Sequence, residues 1–148
     1  MPYKSLEITN PTPSSQQFVA TNHKYSGFST INNTNPGSKL YDIDLIKQDL
    51  INQFNTRTGS RVMNPTFGTV LWNYLMEPLT DNIRELLQTE VTKICSSDPR
   101  IQPISINLTE YIDGYLLELT ANIVGTNQSV NMLLTFDQNL GLASAAQQ

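Results

Sequence analysis

The sequence predicts an α+β fold: two to three helices packed on a three-stranded antiparallel sheet, with an extended N-terminal arm. Three observations carry this. Apolar residues recur at three- and four-residue steps between residues 43 and 94, they alternate with period two between 104 and 136, and neither pattern is sustained in the first forty residues. Prolines at 65, 78 and 99 fence the helical part, because proline lacks an N–H and drives the preceding residue out of the α region. At 148 residues the chain is expected to be one domain, divided into an arm (1–40), a core (41–140) and a flexible tail (141–148).

The arm is dominated by Asn, Thr, Ser, Pro and Gln, with isolated aromatics at Tyr3, Phe18, Tyr25 and Phe28. It is too polar to bury a core of its own. Either it is a floppy terminus or it orders on a partner with its aromatics as anchors. Aromatics spaced through a polar strap favour the second reading, and Phe28 is taken as a partner-binding residue. His23, the only histidine, has no second ligand beside it and reads as a solvated arm residue.

Asp42 is the expected N-cap of the first helix, whose apolar face is Ile43, Ile46, Leu50, Ile51 and Phe54; Lys47, Gln48, Asp49, Asn52 and Gln53 fill the other face. Beyond it, Arg57 and Arg61 flank Gly59. Such a turn is either solvated or offers backbone N–H groups and two guanidiniums to a carboxylate or phosphate. Pro65 to Thr69 turns the chain into a short helix with Val70, Leu71, Tyr74 and Leu75 inward, and Trp72 either sits partly in the core or marks an interface. The longer helix follows Pro78. Its apolar stripe is Ile83, Leu86, Leu87, Val91 and Ile94, interrupted by Glu90, which is expected to reach solvent or Lys93. Cys95, the only cysteine, reads as a small packing residue and excludes an internal disulfide or a cysteine-pair zinc site.

Asp98-Pro99-Arg100 then turns the chain into the sheet, placing two groups capable of parallel hydrogen bonds on either side of a stiff link. Three alternating runs follow, with Ile104, Ile106 and Leu108, then Tyr115 to Ile123, then Val130 to Phe136. Asp113-Gly114 and Gly125-Thr126-Asn127 supply the turns. The Ala-rich stretch from Gly141 carries no signal beyond fraying. A three-stranded meander leaves edges open to another chain's strand, and Pro103 is the only guard in these runs.

Composition narrows the function. Charged residues are only 15% of the chain, a surface more often satisfied by neighbours than by water. A net charge of −4 and a pI near 4.8, with no basic stripe, argue against nucleic acid. With no apolar leader and no run of about eighteen apolar residues, neither export nor membrane insertion is expected.

Thr56-Arg57-Thr58-Gly59-Ser60-Arg61, Asn64-Pro65-Thr66-Phe67-Gly68, Glu77-Pro78 and Asp98-Pro99-Arg100-Ile101 stand in an order and spacing that resembles the small baseplate wedge proteins of contractile-tailed phages, with relatives in type VI secretion baseplates. The resemblance runs from about Asp44 to about Phe136. It implies a structural, non-catalytic subunit of the virion tail baseplate, assembled in host cytoplasm. Its partners would be other wedge proteins and the tail sheath protein, with no cofactor, metal, nucleic acid, membrane or small-molecule substrate. Arg57, Arg61, Asn64, Phe67, Trp72, Glu77, Asp98, Pro99 and Arg100 would be protein-binding residues, together with Phe28, and the loop carrying Arg57 and Arg61 would dock on protein carboxylates. The family's contact node is Glu-Pro-Arg. Here Asp98 replaces the Glu, keeping the charge with one methylene less reach. The resemblance also implies that the sheet begins the first sheath ring by strand addition. A type VI baseplate component is the nearest alternative. A tail-associated peptidoglycan hydrolase is a distant one, because Glu77, Glu85, Glu90, Asp98, Glu110 and Glu118 all have ordinary structural positions and nothing in the sequence supplies a sugar cleft.

Overall fold

The computed structural model describes residues 22–30 and 38–146; Tyr3 and Phe18 lie outside them. In chain order the elements are β1 (Ser26–Phe28), β2 (Lys39–Tyr41), α1 (Asp42–Asn55), a 3-10 turn (Leu71–Tyr74), α2 (Asp81–Ser97), β3 (Ile101–Tyr111), β4 (Gly114–Ile123), β5 (Gln128–Asp137) and β6 (Gly141–Ala146). β1 and β2 form an antiparallel ribbon, and β3 to β6 form an antiparallel meander in the order β3-β4-β5-β6.

The α+β class is as expected, but the main sheet has four strands rather than three. Residues 141–146, expected to fray, pair with Met132–Asp137. The turn explains why. Asp137 accepts the N–H groups of Asn139 and Leu140 at 2.7 and 3.0 Å, and Gly141 takes φ +79, closing a three-residue hairpin loop. The strand escapes a reading by pattern because Leu-Ala-Ser-Ala-Ala has no hydrophobic alternation, and alanine favours helix.

One face of the meander is the core. Every second residue of β4 from Tyr115 to Ile123, and of β5 from Val130 to Phe136, is buried against Ile46, Leu50 and Phe54 of α1 and Leu87, Val91, Ile94 and Cys95 of α2. Cys95 packs fully inside; burial first, then nearby Asp98, pushes its thiol up to about 11. Two residues expected inside are not. Ile104 is 58% exposed because the β3–β4 register shifts between Pro103 and Ser105, leaving it in a bulge. Leu86 is 45% exposed, since the buried line of α2 runs through Leu87, Val91, Ile94 and Cys95 and leaves it at the rim.

The short helix expected before Pro78 is a single 3-10 turn, held by the sheet. The Tyr115 hydroxyl lies 2.5 Å from the Tyr74 carbonyl and 2.6 Å from that of Glu77, its one proton serving one of them at a time. Gln138 Nε2 donates to the Leu75 carbonyl at 2.9 Å. Sheet side chains thus replace the bonds that a longer helix would have made.

Residues 22–30 are strapped along α1 by three polar side chains, Asp42, Gln48 and Asn52, the last donating from Nδ2 to Thr30 Oγ1 at 3.1 Å. The N-cap of α1 is Tyr41 rather than Asp42, which is the first helical residue; Asp42 itself has a backbone φ of +41, which Asp tolerates better than most residues. Its carboxylate accepts the N–H groups of Tyr25 and Lys24, each at 2.9 Å, and lies 3.1 Å from His23 Nδ1. His23 also stacks on Tyr41 at 4.1 Å, so it is less free than a solvated arm residue. The Tyr25 bond first, then His23, holds the Asp42 carboxyl below the usual carboxylate range. Gln48, only 7% exposed, accepts from Ser29 Oγ and the Thr30 N–H and donates to the Phe28 carbonyl. The Tyr25 hydroxyl reaches the Val124 carbonyl at 3.2 Å, tying the strap to the β4–β5 turn.

Gln48→Leu keeps the volume and removes three strap bonds. It is expected to cost about 1–3 kcal/mol in thermal or urea unfolding and to accelerate hydrogen exchange at Thr30 while β4 and β5 stay protected; equal acceleration everywhere contradicts a strap held by this side chain. A depressed Asp42 carboxyl attaches the strap above the ordinary Asp value and releases it as pH falls through the folded value. The Lys24 and Tyr25 amide resonances are therefore expected to move together below about pH 4, and their indifference between pH 5 and 2 would remove the proposed anchor.

Candidate protein-docking site

α2 ends where Asp98 becomes extended (φ −95, ψ 113), as a residue before proline tends to be. Asp98 Oδ1 accepts the backbone N–H of Arg100 at 2.9 Å, forming a turn that folds the guanidinium back on the same carboxylate. Nε donates to Oδ1 and Oδ2 at 2.9 and 3.1 Å, and Nη2 to Oδ2 at 2.6 Å. Nη2 also donates to Asp49 Oδ2 on α1 at 2.8 Å, and the Arg100 guanidinium lies 5.9 Å from the centre of the Tyr25 ring. Burial raises the Asp98 carboxyl, but the hydrogen bonds and charge of Arg100 outweigh it, and the net displacement is downward. Arg100 is displaced upward, first by its bonds to Asp98, against burial and with help from Asp49. The shorter acid is therefore engaged by its own chain's arginine.

This junction forms one wall of an open depression of about 470 Å³. Asp49, Asn52 and Gln53 of α1 form another wall, and Arg61 and Phe67 a third. The loop that brings them is closed at its neck, where the Thr69 N–H donates to the Thr56 carbonyl at 2.9 Å and the Thr58 N–H to the Thr69 carbonyl at 3.2 Å. Gly68 is required there. Its φ is +111, and a Cβ would stand 2.5 Å from the Thr56 carbonyl oxygen. Within the loop the Gly59 and Ser60 N–H groups donate to the carbonyls of Pro65 and Arg57, so they form no anion cradle. The two arginines part company: Arg61 lies 3.9 Å over the Phe67 ring and Arg57 lies 5.8 Å over Trp72.

Of the residues singled out from the sequence, Arg61, Phe67, Asp98, Pro99 and Arg100 share this depression. Asn64 borders a neighbouring hollow with Phe67, Lys93 and Glu90, and its side-chain oxygen accepts from Thr66 Oγ1. Glu90 lies 3.9 Å from Lys93. Trp72 is half-buried, donating from Nε1 to the Phe54 carbonyl at 2.8 Å and meeting Phe136 edge-on at 5.3 Å, which makes it a joint of the core. Glu77 follows the 3-10 turn, exposed, and Phe28 lies on the ribbon, also exposed. Asp49, Asn52 and Gln53 were missed as site residues. They occupy the polar face of an amphipathic helix, and no local signal distinguishes a polar residue facing solvent from one facing a distant loop. Among the described residues no group of three His, Cys, Asp or Glu is placed to hold a metal, and no helix is long and apolar enough to cross a membrane.

The model of the family described as baseplate wedge protein gp25 matches residues 42–131, from the start of α1 into β5 and including every wall of the depression. The chain belongs to the gp25 baseplate wedge family. It is 28% identical over 81 residues to the baseplate wedge protein gp25 of Enterobacteria phage T4; the match takes in 54% of this chain and 61% of the T4 protein's length. A crystal structure from Geobacter sulfurreducens, described as that of a candidate tail lysozyme, shares the fold with a TM-score of 0.53 at 21% identity. That match covers 62% of this chain and 90% of the other.

Arg100→Ala leaves two carboxylates without their shared cation and is expected to cost about 1–2 kcal/mol in unfolding, the lower part of the range for charged hydrogen bonds because the group is partly exposed. The depressed Asp98 carboxyl stabilises the fold above the ordinary Asp value and ceases to as pH falls through its folded value. The stability gap between wild type and Asp98→Asn is thus expected to be open at pH 7 and to narrow below about pH 4. A gap independent of pH from 7 to 2.5 would show that the ion pair does not set it.

Proposed function

We propose that the chain is a non-catalytic, structural subunit of the baseplate of a contractile phage tail. It docks on neighbouring wedge proteins through the Arg61–Arg100 depression and offers a sheet edge to the tail sheath protein. The observation that carries the reading is that the family match spans the clamped Asp98-Pro99-Arg100 junction and the loop facing it. Two arginines and two aspartates leave the depression formally neutral, suited to a partner surface that alternates charge or presents polar backbone. Arg100 Nη1 makes no bond to the described residues, so its N–H groups remain available to a partner's acceptor.

The two sheet edges differ. β3 carries Pro103 and a bulge, and its Ile106 carbonyl already accepts Gln88 Nε2 from α2 at 3.4 Å. β6 has neither proline nor charge, and no described strand pairs with its outer edge. Strand addition by the sheath is therefore assigned to β6.

A non-catalytic role is supported by the carboxyls. Asp98 is displaced downward, the opposite of a general acid, and both of its oxygens are bonded to Arg100. Glu110 accepts the Leu79 N–H at 3.3 Å, and Glu118 lies exposed on β4.

Extensively washed tail particles, quantified by mass spectrometry, are expected to contain this chain at a low, fixed ratio to the sheath protein, and particles carrying Arg100→Ala are expected to fail in wedge assembly while the isolated variant stays folded. Absence of the chain from particles, or normal assembly of the variant, would overturn the docking role; clearing of a cell-wall suspension by the purified chain would overturn the non-catalytic one.

A further inference from the structure

At the far end of the meander three turns converge. The Gln138 N–H donates to the Asp113 carbonyl at 3.2 Å, and its side chain donates to the Leu75 carbonyl at 2.9 Å, so the β5–β6 turn is bonded to both the β3–β4 turn and the segment after the 3-10 turn. Tyr115 adds its contacts to Tyr74 and Glu77. Each of these three segments exposes one large apolar side chain: Met76 at 79%, Ile112 at 98% and Leu140 at 85%. A single exposed apolar residue is ordinary. Three on turns bonded into one unit form a surface of the kind that partners cover.

The charge around them has one sign. Glu77, Glu110, Asp113 and Asp137 lie in these segments, and residues 73–79, 109–115 and 136–141 contain no Lys or Arg. The carboxylates act on one neighbourhood. Burial raises the Tyr115 hydroxyl, with Glu110 and Glu77 adding to it, and burial raises that of Tyr111, with Asp137 and Asp113 adding to it. Asp137 stays ionised, held down by the N–H groups of Asn139 and Leu140. The surface repels nucleic acid and anionic membrane, and it repels a second copy of itself.

We infer that the Met76–Ile112–Leu140 surface is a further docking site, beyond the Arg100 depression and the β6 edge, for a protein segment that combines apolar side chains with Lys or Arg. It is separate from the Arg100 depression. Arg100 immediately precedes β3 and Ile112 immediately follows it, which puts eleven residues, roughly 35 Å of strand, between the two. The surface does not depend on the Arg100 assignment, and it would add a further neighbour to those proposed for the depression and the β6 edge.

The test is a methyl and amide NMR titration of the full chain with a synthetic peptide of alternating Leu and Lys, against oligolysine of equal charge and a Leu–Glu peptide of equal length. The Leu–Lys peptide is expected to perturb the Met76, Ile112 and Leu140 methyls, and to bind roughly tenfold or more tightly than either control. The triple variant Met76→Ser, Ile112→Ser, Leu140→Ser is expected to lose that preference while its β4 and β5 amide resonances stay in place. Should the triple variant not fold, Ile112→Ser alone, at the exposed turn tip, is expected to weaken binding several-fold. The inference is overturned by equal binding of oligolysine, by perturbations centred elsewhere, or by self-association of the chain through these three residues. Normal wedge assembly by Arg100→Ala would overturn the first site and leave this one standing.

Discussion

The Arg100 guanidinium is the point at which separately folded pieces are held together. Asp98 comes from the end of α2, Asp49 from the middle of α1, Arg100 itself from the start of the sheet, and Tyr25 from the N-terminal strap. A lysine could pair with one of these carboxylates, but only a planar fork can bond Asp98 through Nε and Nη2 while the same Nη2 reaches a second element. Because the pairing is partly open to solvent, its energetic contribution is moderate. Its larger effect is geometric, since it fixes the angle between helices and sheet at the rim of the depression.

The same economy recurs elsewhere in the polar contacts. With few charged residues, the chain ties its irregular segments by hydrogen bonds from neutral side chains: Gln48 to the strap, Tyr115 and Gln138 to the 3-10 turn, Trp72 to the end of α1. Each anchors backbone groups that no helix or strand would satisfy. Remaining charge is sorted by place, with balanced pairs around Arg100 and unbalanced carboxylates at the opposite end of β3.

Much of the fold was legible because it rests on period. The buried lines of α1, β4 and β5 are those that the spacing of Ile46, Leu50 and Phe54, of Tyr115 to Ile123 and of Val130 to Phe136 would draw. What stayed hidden depended on contacts distant in sequence. β6 has no pattern of its own and exists as a strand through its pairing with β5. Ile104 obeys period two in the sequence, and a bulge turned it outward. Asp42 has the right identity for a cap, yet its carboxylate faces the strap. In the depression, Arg61, Phe67 and the Asp98-Pro99-Arg100 turn could be named from local sequence, whereas Asp49 could not, because its partner stands 51 residues away.

Trp72 is the chain's only tryptophan, and it is placed where the loop neck, the last turn of α1 and Phe136 of β5 meet. Its indole is half-buried with the N–H bonded to a backbone carbonyl, so its emission depends on the packing of that single joint. The native protein therefore carries its own optical probe of the loop bearing Arg61 and Phe67. A partner settling into the depression can be followed by intrinsic fluorescence, with no label added to the surface under study.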